Sequence, residues 1–213
     1  MKHADFFADR KDAAEKLAAR LDKYEGRNPL ILAIPRGAVP MGRIIATRLR
    51  GELDVVLVRK LGAPFSAECA VGSIDETGRT HLLPELANAF ISDDFITREK
   101  AAQLALLHER RRRYSPAREP RNPQGRIAIV IDDGLATGAT MQAALCSVRD
   151  AKPARLVCAI PVAAPDSLQK IRPLANEVVC LHAPKDFFAV SQYYRQFPPV
   201  SDEEVTAILA GRE

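Results

Sequence analysis

The chain alternates short apolar runs with helical repeats over most of its length. An opening amphipathic helix is predicted from positions that recur every three to four residues, at Phe6, Arg10, Ala13, Ala14, Leu17 and Leu21. Runs rich in β-branched residues predict buried strands at 30–34, 54–58, 127–131, 155–160 and 177–181. Helical repeats follow near 39–49, 141–148 and 165–171. This alternation predicts an α/β fold, a doubly wound parallel sheet with right-handed crossovers, in a single domain over 1–213.

Two stretches depart from the alternation. Residues 70–75 and 79–83, on either side of the turn 76–78, predict a hairpin, and we place an inserted hairpin or lid at 62–83. A long polar helix is predicted at about 97–114, ahead of a proline-rich linker at 115–124. The tail at 183–213 is a small separate segment in this prediction. Ligands of such sheets bind beyond the carboxyl ends of the strands, so the strand ends are the places to search for chemistry.

The most informative strand end is the one that follows residues 127–131. Asp132 and Asp133 lie there, and the small-residue loop that follows leads into a helix. A helix N-terminus offers free N–H groups and a positive dipole end to a phosphate. Gly138 allows close approach of the backbone, and Thr137 and Thr140 add hydroxyl donors. Carboxylates beside a phosphate cradle suit a ribose 5-phosphate; the alternative is an ordinary strand-to-helix turn with two solvated aspartates.

The stretch 129–140, Ile-Val-Ile-Asp-Asp-Gly-Leu-Ala-Thr-Gly-Ala-Thr, resembles the phosphoribosyl diphosphate (PRPP) signature of the type I phosphoribosyltransferases. The resemblance implies that Asp132 and Asp133 hold the ribose hydroxyls. It also implies that the loop holds the 5-phosphate, through Gly134, Ala136, Thr137, Gly138, Ala139 and Thr140. Nearly the full length is similar to a family of bacterial phosphoribosyltransferases with no settled substrate. The type I fold and PRPP as donor are therefore the implied properties, and the acceptor stays open.

Two further strand ends resemble parts of the same family. The loop after 30–34 contains Arg36 and Gly37, and its place resembles the pyrophosphate loop, where Gly37 would tolerate unusual backbone angles. Arg59 and Lys60 follow the second predicted strand and resemble a basic pair aimed at pyrophosphate. The alternative for each is a plain turn with surface cations. Residues 62–78 occupy the position of the mobile catalytic loop, but the Ser-Tyr and Lys-x-His patterns of some subfamilies are absent.

The implied reaction breaks the bond between the anomeric carbon and pyrophosphate, and an acceptor nitrogen attacks the opposite face. Asp132 and Asp133 would stabilise the cationic ribosyl carbon, and Arg59 and Lys60 the departing pyrophosphate. Mg²⁺ is the implied cofactor, bound mainly through substrate oxygens, with the two aspartates as its candidate protein ligands. The tail resembles the hood of purine phosphoribosyltransferases, where Phe187 or Phe188 would stack on a planar acceptor; core packing is the alternative.

Composition sets the remaining expectations. The chain has 213 residues, a net charge of +4 and no apolar stretch of membrane-spanning length, and its opening residues lack a signal-peptide pattern. The four cysteines lack Cys-x-x-Cys spacing, which favours free thiols in a reducing cytoplasm, and the four histidines are dispersed. Residues 110–113 are four arginines, interpreted as a solvated face. The alternatives are a PRPP- or nucleotide-sensing regulator that binds nucleic acid, and a hydrolase of PRPP or nucleotides. The family resemblance implies a homodimer.

Overall fold

The computed structural model describes residues 7–64, 66–82, 92–115 and 119–212, without the side chains of 66–70. Expectations that involve Phe6, the Cys69 side chain and residues 65, 83, 116–118 and 213 lie outside this part. The elements are, in chain order, α1 (Arg10–Arg20), β1 (Leu30–Ala33), α2 (Ala38–Leu49), β2 (Glu52–Val55), β3 (Val58–Ala63), β4 (Ser66–Asp75), β5 (Thr80–Leu82), α3 (Asp93–Tyr114), β6 (Ile127–Ile131), α4 (Ala139–Asp150), β7 (Arg155–Val162), α5 (Pro165–Ile171), β8 (Glu177–His182) and α6 (Asp202–Leu209). Short 3₁₀ turns lie at Asp22–Tyr24, Arg172–Leu174 and Val190–Tyr193.

The central sheet confirms the predicted fold class. Its five strands run in the order β2-β1-β6-β7-β8, and every neighbouring pair is parallel. Both faces are buried, because Ile31 and Ala33 of β1 pack in one apolar cluster while Leu30 and Leu32 pack in the other. Helices α1 and α2 cover the first face, and α4 and α5 cover the second. Burial on both faces explains why these strands are continuous apolar runs.

The second predicted strand, 54–58, is wrong at its end. Strand β2 ends at Val55, and Val58 begins β3, which belongs to a separate antiparallel sheet of order β3-β4-β5. The apolar run passes through this break unchanged, so periodicity could not locate it. Arg59 and Lys60 therefore lie within an antiparallel strand rather than at a parallel strand's carboxyl end. The predicted hairpin is present as β4 and β5, and the insertion begins at Val58, four residues before the predicted boundary.

The long helix α3 begins at Asp93, earlier than the predicted residue 97. Ser92 caps it, since its side chain accepts the N–H of Phe95 at 3.3 Å. The first turn is acidic and contains no apolar repeat that could reveal it in the sequence. Among the described residues, no helix is both long and apolar enough to span a bilayer.

One polar cluster ties α1 to the sheet away from the candidate site. The Glu177 cluster joins the Glu177 carboxylate to Lys23, Tyr24 and Arg155, with oxygen-to-donor distances of 2.6, 2.6 and 3.0 Å. Burial raises the pKa of Glu177, but these three hydrogen bonds outweigh it and lower the pKa to about 2. The cluster fastens the turn after α1 to the starts of β7 and β8.

Candidate active site

The acidic pair lies directly beyond β6, next to the loop that follows β1. Ala33 and Ile131, the last residues of these strands, are register partners, and the Ile34 N–H donates to the Ile131 carbonyl at 3.0 Å. The loops 35–37 and 132–138 therefore leave the sheet side by side. This is the edge where ligands of parallel sheets bind.

The two aspartates have different surroundings. Asp132 accepts the backbone N–H of Asp133 at 2.8 Å, and burial together with the charge of Asp133 raises its pKa well above the usual range. Asp133 accepts two hydrogen bonds from Arg10, which sequence reasoning assigned only to the repeat of the first helix. Burial raises the pKa of Asp133, and Arg10 opposes that change. A carboxylate at each position can accept ligand hydroxyls.

The loop after the acids is supported from both sides. Gly134 lies under the tail, since a Cβ there would be 2.4 Å from a methyl carbon of Val190. The Ala136 carbonyl accepts the hydroxyl of Ser167 at 2.5 Å. Gly138 precedes α4 with φ +81°, a backbone conformation that requires glycine. Ala139 is the first residue of α4, and the side chains of Thr137 and Thr140 are exposed at its N-terminus.

The loop 35–37 contacts the acids through Gly37. The Pro35–Arg36 peptide bond is cis, and Gly37 has φ −57° and ψ −31°. The expectation of unusual backbone angles at Gly37 is therefore wrong. A Cβ on Gly37 would lie 2.0 Å from Oδ2 of Asp133, so glycine is needed for close approach. The Arg36 side chain is half exposed and faces Asp202, with 3.8 Å between Nη1 and Oδ1.

A cavity of about 470 Å³ adjoins these loops. Pro35 and Thr140 line it, and across from them lie Arg59, Lys60 and Arg110 of β3 and α3. The structure thus brings the predicted basic pair to the two loops, although by a different strand. Arg36 is not among the residues that line this cavity. The lining also contains one carboxylate, Glu99, so three cations outnumber one anion beside a helix N-terminus and a loop of small residues. This arrangement favours an anionic ligand.

Comparison with known proteins decides the family. The family model described as the phosphoribosyl transferase domain matches residues 5–198. The chain belongs to the phosphoribosyl transferase family. It is 42% identical over 208 residues to a protein that carries the provisional name phosphoribosyl transferase in two Mycobacterium tuberculosis strains. The match covers 95% of this chain and 46% of those proteins, so the chain spans less than half of their length.

A solved relative supports the same family. The crystal structure of TT1426 from Thermus thermophilus is 43% identical, with a TM-score of 0.87. The similarity covers 96% of this chain and 98% of that one.

The tail of the domain separates the two candidate phenylalanines. Phe187 stacks on Tyr193, with ring centroids 5.6 Å apart and planes 19° apart. Phe188 is 86% exposed, and the Gln192 side chain accepts its N–H at 3.2 Å. Because Val190 rests against Gly134, the Phe188 ring projects from a segment that is packed on the candidate phosphate loop. Phe187 is therefore a packing residue, and Phe188 is the exposed ring of the two.

The four arginines of α3 do not form one basic face. Arg110 lines the 470 Å³ cavity, while Arg113 pairs with Asp202 at 2.9 Å. Arg111 is buried, pairing with Asp54 at 2.8 Å and with Glu76, beside a larger cavity of about 780 Å³. The charge of Arg111 in that second cavity is compensated by these two carboxylates. Arg110 is a candidate site residue that could not be identified from the sequence. In a run of four arginines, the sequence does not indicate which side chain faces the cavity.

The remaining thiols give no candidate chemistry. Cys146, Cys158 and Cys180, whose side chains are described, are free. Burial raises the pKa of each of these thiols, which makes them poor nucleophiles. They are packing residues of the domain.

Proposed function

We propose that this protein transfers a ribose 5-phosphate group from PRPP to a nitrogen acceptor and releases pyrophosphate. One observation carries the proposal: the acidic pair and the loop at the N-terminus of α4 lie at the carboxyl ends of β1 and β6, and a cavity lined by three cations reaches the neighbouring loops at Pro35 and Thr140. Family membership supports the reaction class. A nucleobase or related planar compound is the acceptor class that we propose, since Phe188 is an exposed ring beside the loop.

Each part of the site has a role in this proposal. The loop 134–140 binds the 5-phosphate, and Asp132 and Asp133 face the ribose, whose anomeric carbon becomes cationic as its bond to pyrophosphate breaks. Arg59, Lys60 and Arg110 stabilise the negative charge that collects on the departing pyrophosphate. The acceptor nitrogen then forms its bond on the opposite ring face, positioned by stacking on the tail.

Mg²⁺ fits the donor set as a metal bound mainly through the substrate. Within the described residues, no three His, Cys, Asp or Glu side chains gather as a metal site. The Asp132 carboxylate accepts a hydrogen bond from the backbone N–H of Asp133. Mg²⁺ is commonly bound by one or two carboxylates together with phosphate oxygens of the substrate. When bound, Mg²⁺ would neutralise pyrophosphate charge. A cytoplasmic homodimer acting in nucleotide metabolism completes the proposal, and light scattering tests the dimer.

The test is pyrophosphate release from PRPP with Mg²⁺, screened against purines, pyrimidines, nicotinate-like acids and simple amines. The double variant Asp132→Asn with Asp133→Asn keeps side-chain size but removes both charges. We expect turnover to fall about a hundredfold or more, roughly 3 kcal/mol, while PRPP affinity falls less. The matched control is Asp93→Asn with Asp94→Asn, an adjacent exposed pair at the start of α3.

The outcomes separate the alternatives. Pyrophosphate release from PRPP in the absence of an acceptor would favour the alternative function, a hydrolase of PRPP or nucleotides. Wild-type turnover in the double variant, or absence of PRPP binding by the wild type in calorimetry, contradicts the proposal. A specific, salt-resistant complex with nucleic acid would favour the regulator, because non-specific binding weakens steeply with salt.

A further inference from the structure

Arg10, at the start of α1, makes three kinds of contact, which join one member of the acidic pair to the C-terminal segment. Its Nε and Nη2 donate to Oδ2 of Asp133 at 2.9 and 2.8 Å. Its Nη1 donates to the Pro198 carbonyl at 2.6 Å, and the guanidinium lies 3.7 Å from the centroid of the Phe197 ring. The side chains of Arg10 and Asp133 are 12% and 17% exposed. Asp133 of the acidic pair and the C-terminal segment therefore hold this arginine from two sides.

Asp133 is held on two other sides. The Tyr194 hydroxyl donates to the Asp133 carbonyl at 2.6 Å. The Asp133 carboxylate lies so close to Gly37 that a Cβ there would be 2.0 Å from Oδ2 and 3.2 Å from Nη2 of Arg10. The loop 35–37, Asp133 and Arg10 thus form one packed contact. A displacement of Asp133 would be transmitted to that loop.

Among the described residues, no side chain clamps the neighbouring acid in this way. The Asp132 side chain accepts a hydrogen bond from the backbone N–H of Asp133. The position of Asp132 therefore depends on the backbone at Asp133, which Arg10 holds through the Asp133 carboxylate. Arg10 also supplies one positive charge to two adjacent, half-buried carboxylates. The repulsion between two such carboxylates is costly at low dielectric and is reduced by a paired cation.

We infer that Arg10 is a positioning residue: through Asp133 it holds both the acidic pair and the loop 35–37 in the geometry that binds the donor. The inference rests on the proposed function, since the donor is taken to be PRPP. It assigns unequal roles to the acids, with one Asp133 oxygen committed to Arg10 and Asp132 more open to the ribose. It also makes the C-terminal segment at Phe197 and Pro198 a support of the donor site.

The test measures PRPP affinity by calorimetry with Mg²⁺ and the amide hydrogen exchange of residues 36–38. Arg10→Gln should weaken PRPP binding at least tenfold and speed exchange in the loop. Arg10→Lys keeps the charge but cannot make all of these hydrogen bonds, so it should give an intermediate loss. The matched control is Arg48→Gln, which removes an exposed arginine that bonds Asp22 through Nε and Nη2 at 3.0 Å each. It should change neither readout.

A double-mutant cycle with Asp133→Asn shows whether Arg10 acts through Asp133. We expect Arg10→Gln to cost less than twofold in the Asp133→Asn background. An equal loss in both backgrounds would overturn the positioning role, because Arg10 would then act on the donor directly. Unchanged PRPP affinity in Arg10→Gln would also overturn it. If the wild type fails to bind PRPP, the proposed function is wrong. The positioning role is then tested by hydrogen exchange alone, and unchanged amide exchange of residues 36–38 in both Arg10 variants would refute it. Arg10→Lys decides the case if Arg10→Gln does not fold.

Discussion

Replacing Gly37 by alanine tests whether the loop 35–37 lies against the acidic pair. The backbone angles, φ −57° and ψ −31°, are ordinary for alanine, so the change brings no conformational penalty. The added Cβ would lie 2.0 Å from Oδ2 of Asp133, whereas ordinary contacts begin at 3.4 Å. The carboxylate or the loop must therefore move by about 1.4 Å, the difference between these two distances.

The size of the effect follows from what that movement breaks. Overpacking costs about 1–3 kcal/mol, and each hydrogen bond to a charged group is worth about 1.5–3 kcal/mol. Partial relaxation reduces the sum, and we expect Gly37→Ala to lose about 3 kcal/mol of the free energy of unfolding. For a domain of this size, that loss lowers Tm by about 6–12 °C. PRPP affinity should fall with it, since Asp133 would be displaced.

Thermal unfolding and PRPP calorimetry measure the two effects, with two variants as references. Gly26→Ala adds a Cβ that meets nothing within 4 Å, so its cost comes only from φ +70° and should leave PRPP binding intact. Adding Asp133→Ala to Gly37→Ala removes the overlapping carboxylate and should recover part of the lost Tm. A Gly37→Ala protein that melts within about 2 °C of the wild type would refute the contact.

Two further predictions concern charge. Arg110→Gln should weaken pyrophosphate binding about tenfold in calorimetry, since it removes a cation from the cavity wall. The control Arg112→Gln, at a nearby exposed position, should leave pyrophosphate binding unchanged. Equal losses in both variants would contradict a role for Arg110 in the cavity. Glu177→Gln should lose about 1–2 kcal/mol of unfolding free energy at pH 7, a value reduced for solvent screening. Because the folded pKa of Glu177 is lowered from 4.5 to about 2, its contribution is present above pH 4.5 and lost as pH falls towards 2. Urea unfolding at pH 7, 4 and 3 should show the gap between variant and wild type closing, and a constant gap would exclude this origin.

The sequence could predict those features that repeat or lie close together along the chain. The parallel sheet followed from apolar runs, and the acidic pair with its loop lies within twelve consecutive residues. The position of loops 35–37 and 132–138 at one edge of the sheet also followed, because parallel strands bring their carboxyl ends to one edge. That the two loops are neighbours did not follow, since it depends on the strand order. Phe188 was foreseeable only as one of two neighbours, since which ring packs on Tyr193 depends on the path of the tail.

The contacts that complete the site depend on residues far apart in the chain, which no local pattern encodes. Arg10 and Asp133 are separated by 123 positions, and the repeat of α1 marked Arg10 only as part of a helical face. Arg59 and Lys60 line the cavity although they lie within β3 and do not follow a parallel strand as predicted, because β3 lies beside α3 and Arg110. Gly37 was identified as important for its backbone freedom, while the structure requires its missing side chain. In each case the residue type correctly indicated close packing or charge. The reason for that packing or charge is a contact with a residue distant in the sequence, which only the structure shows.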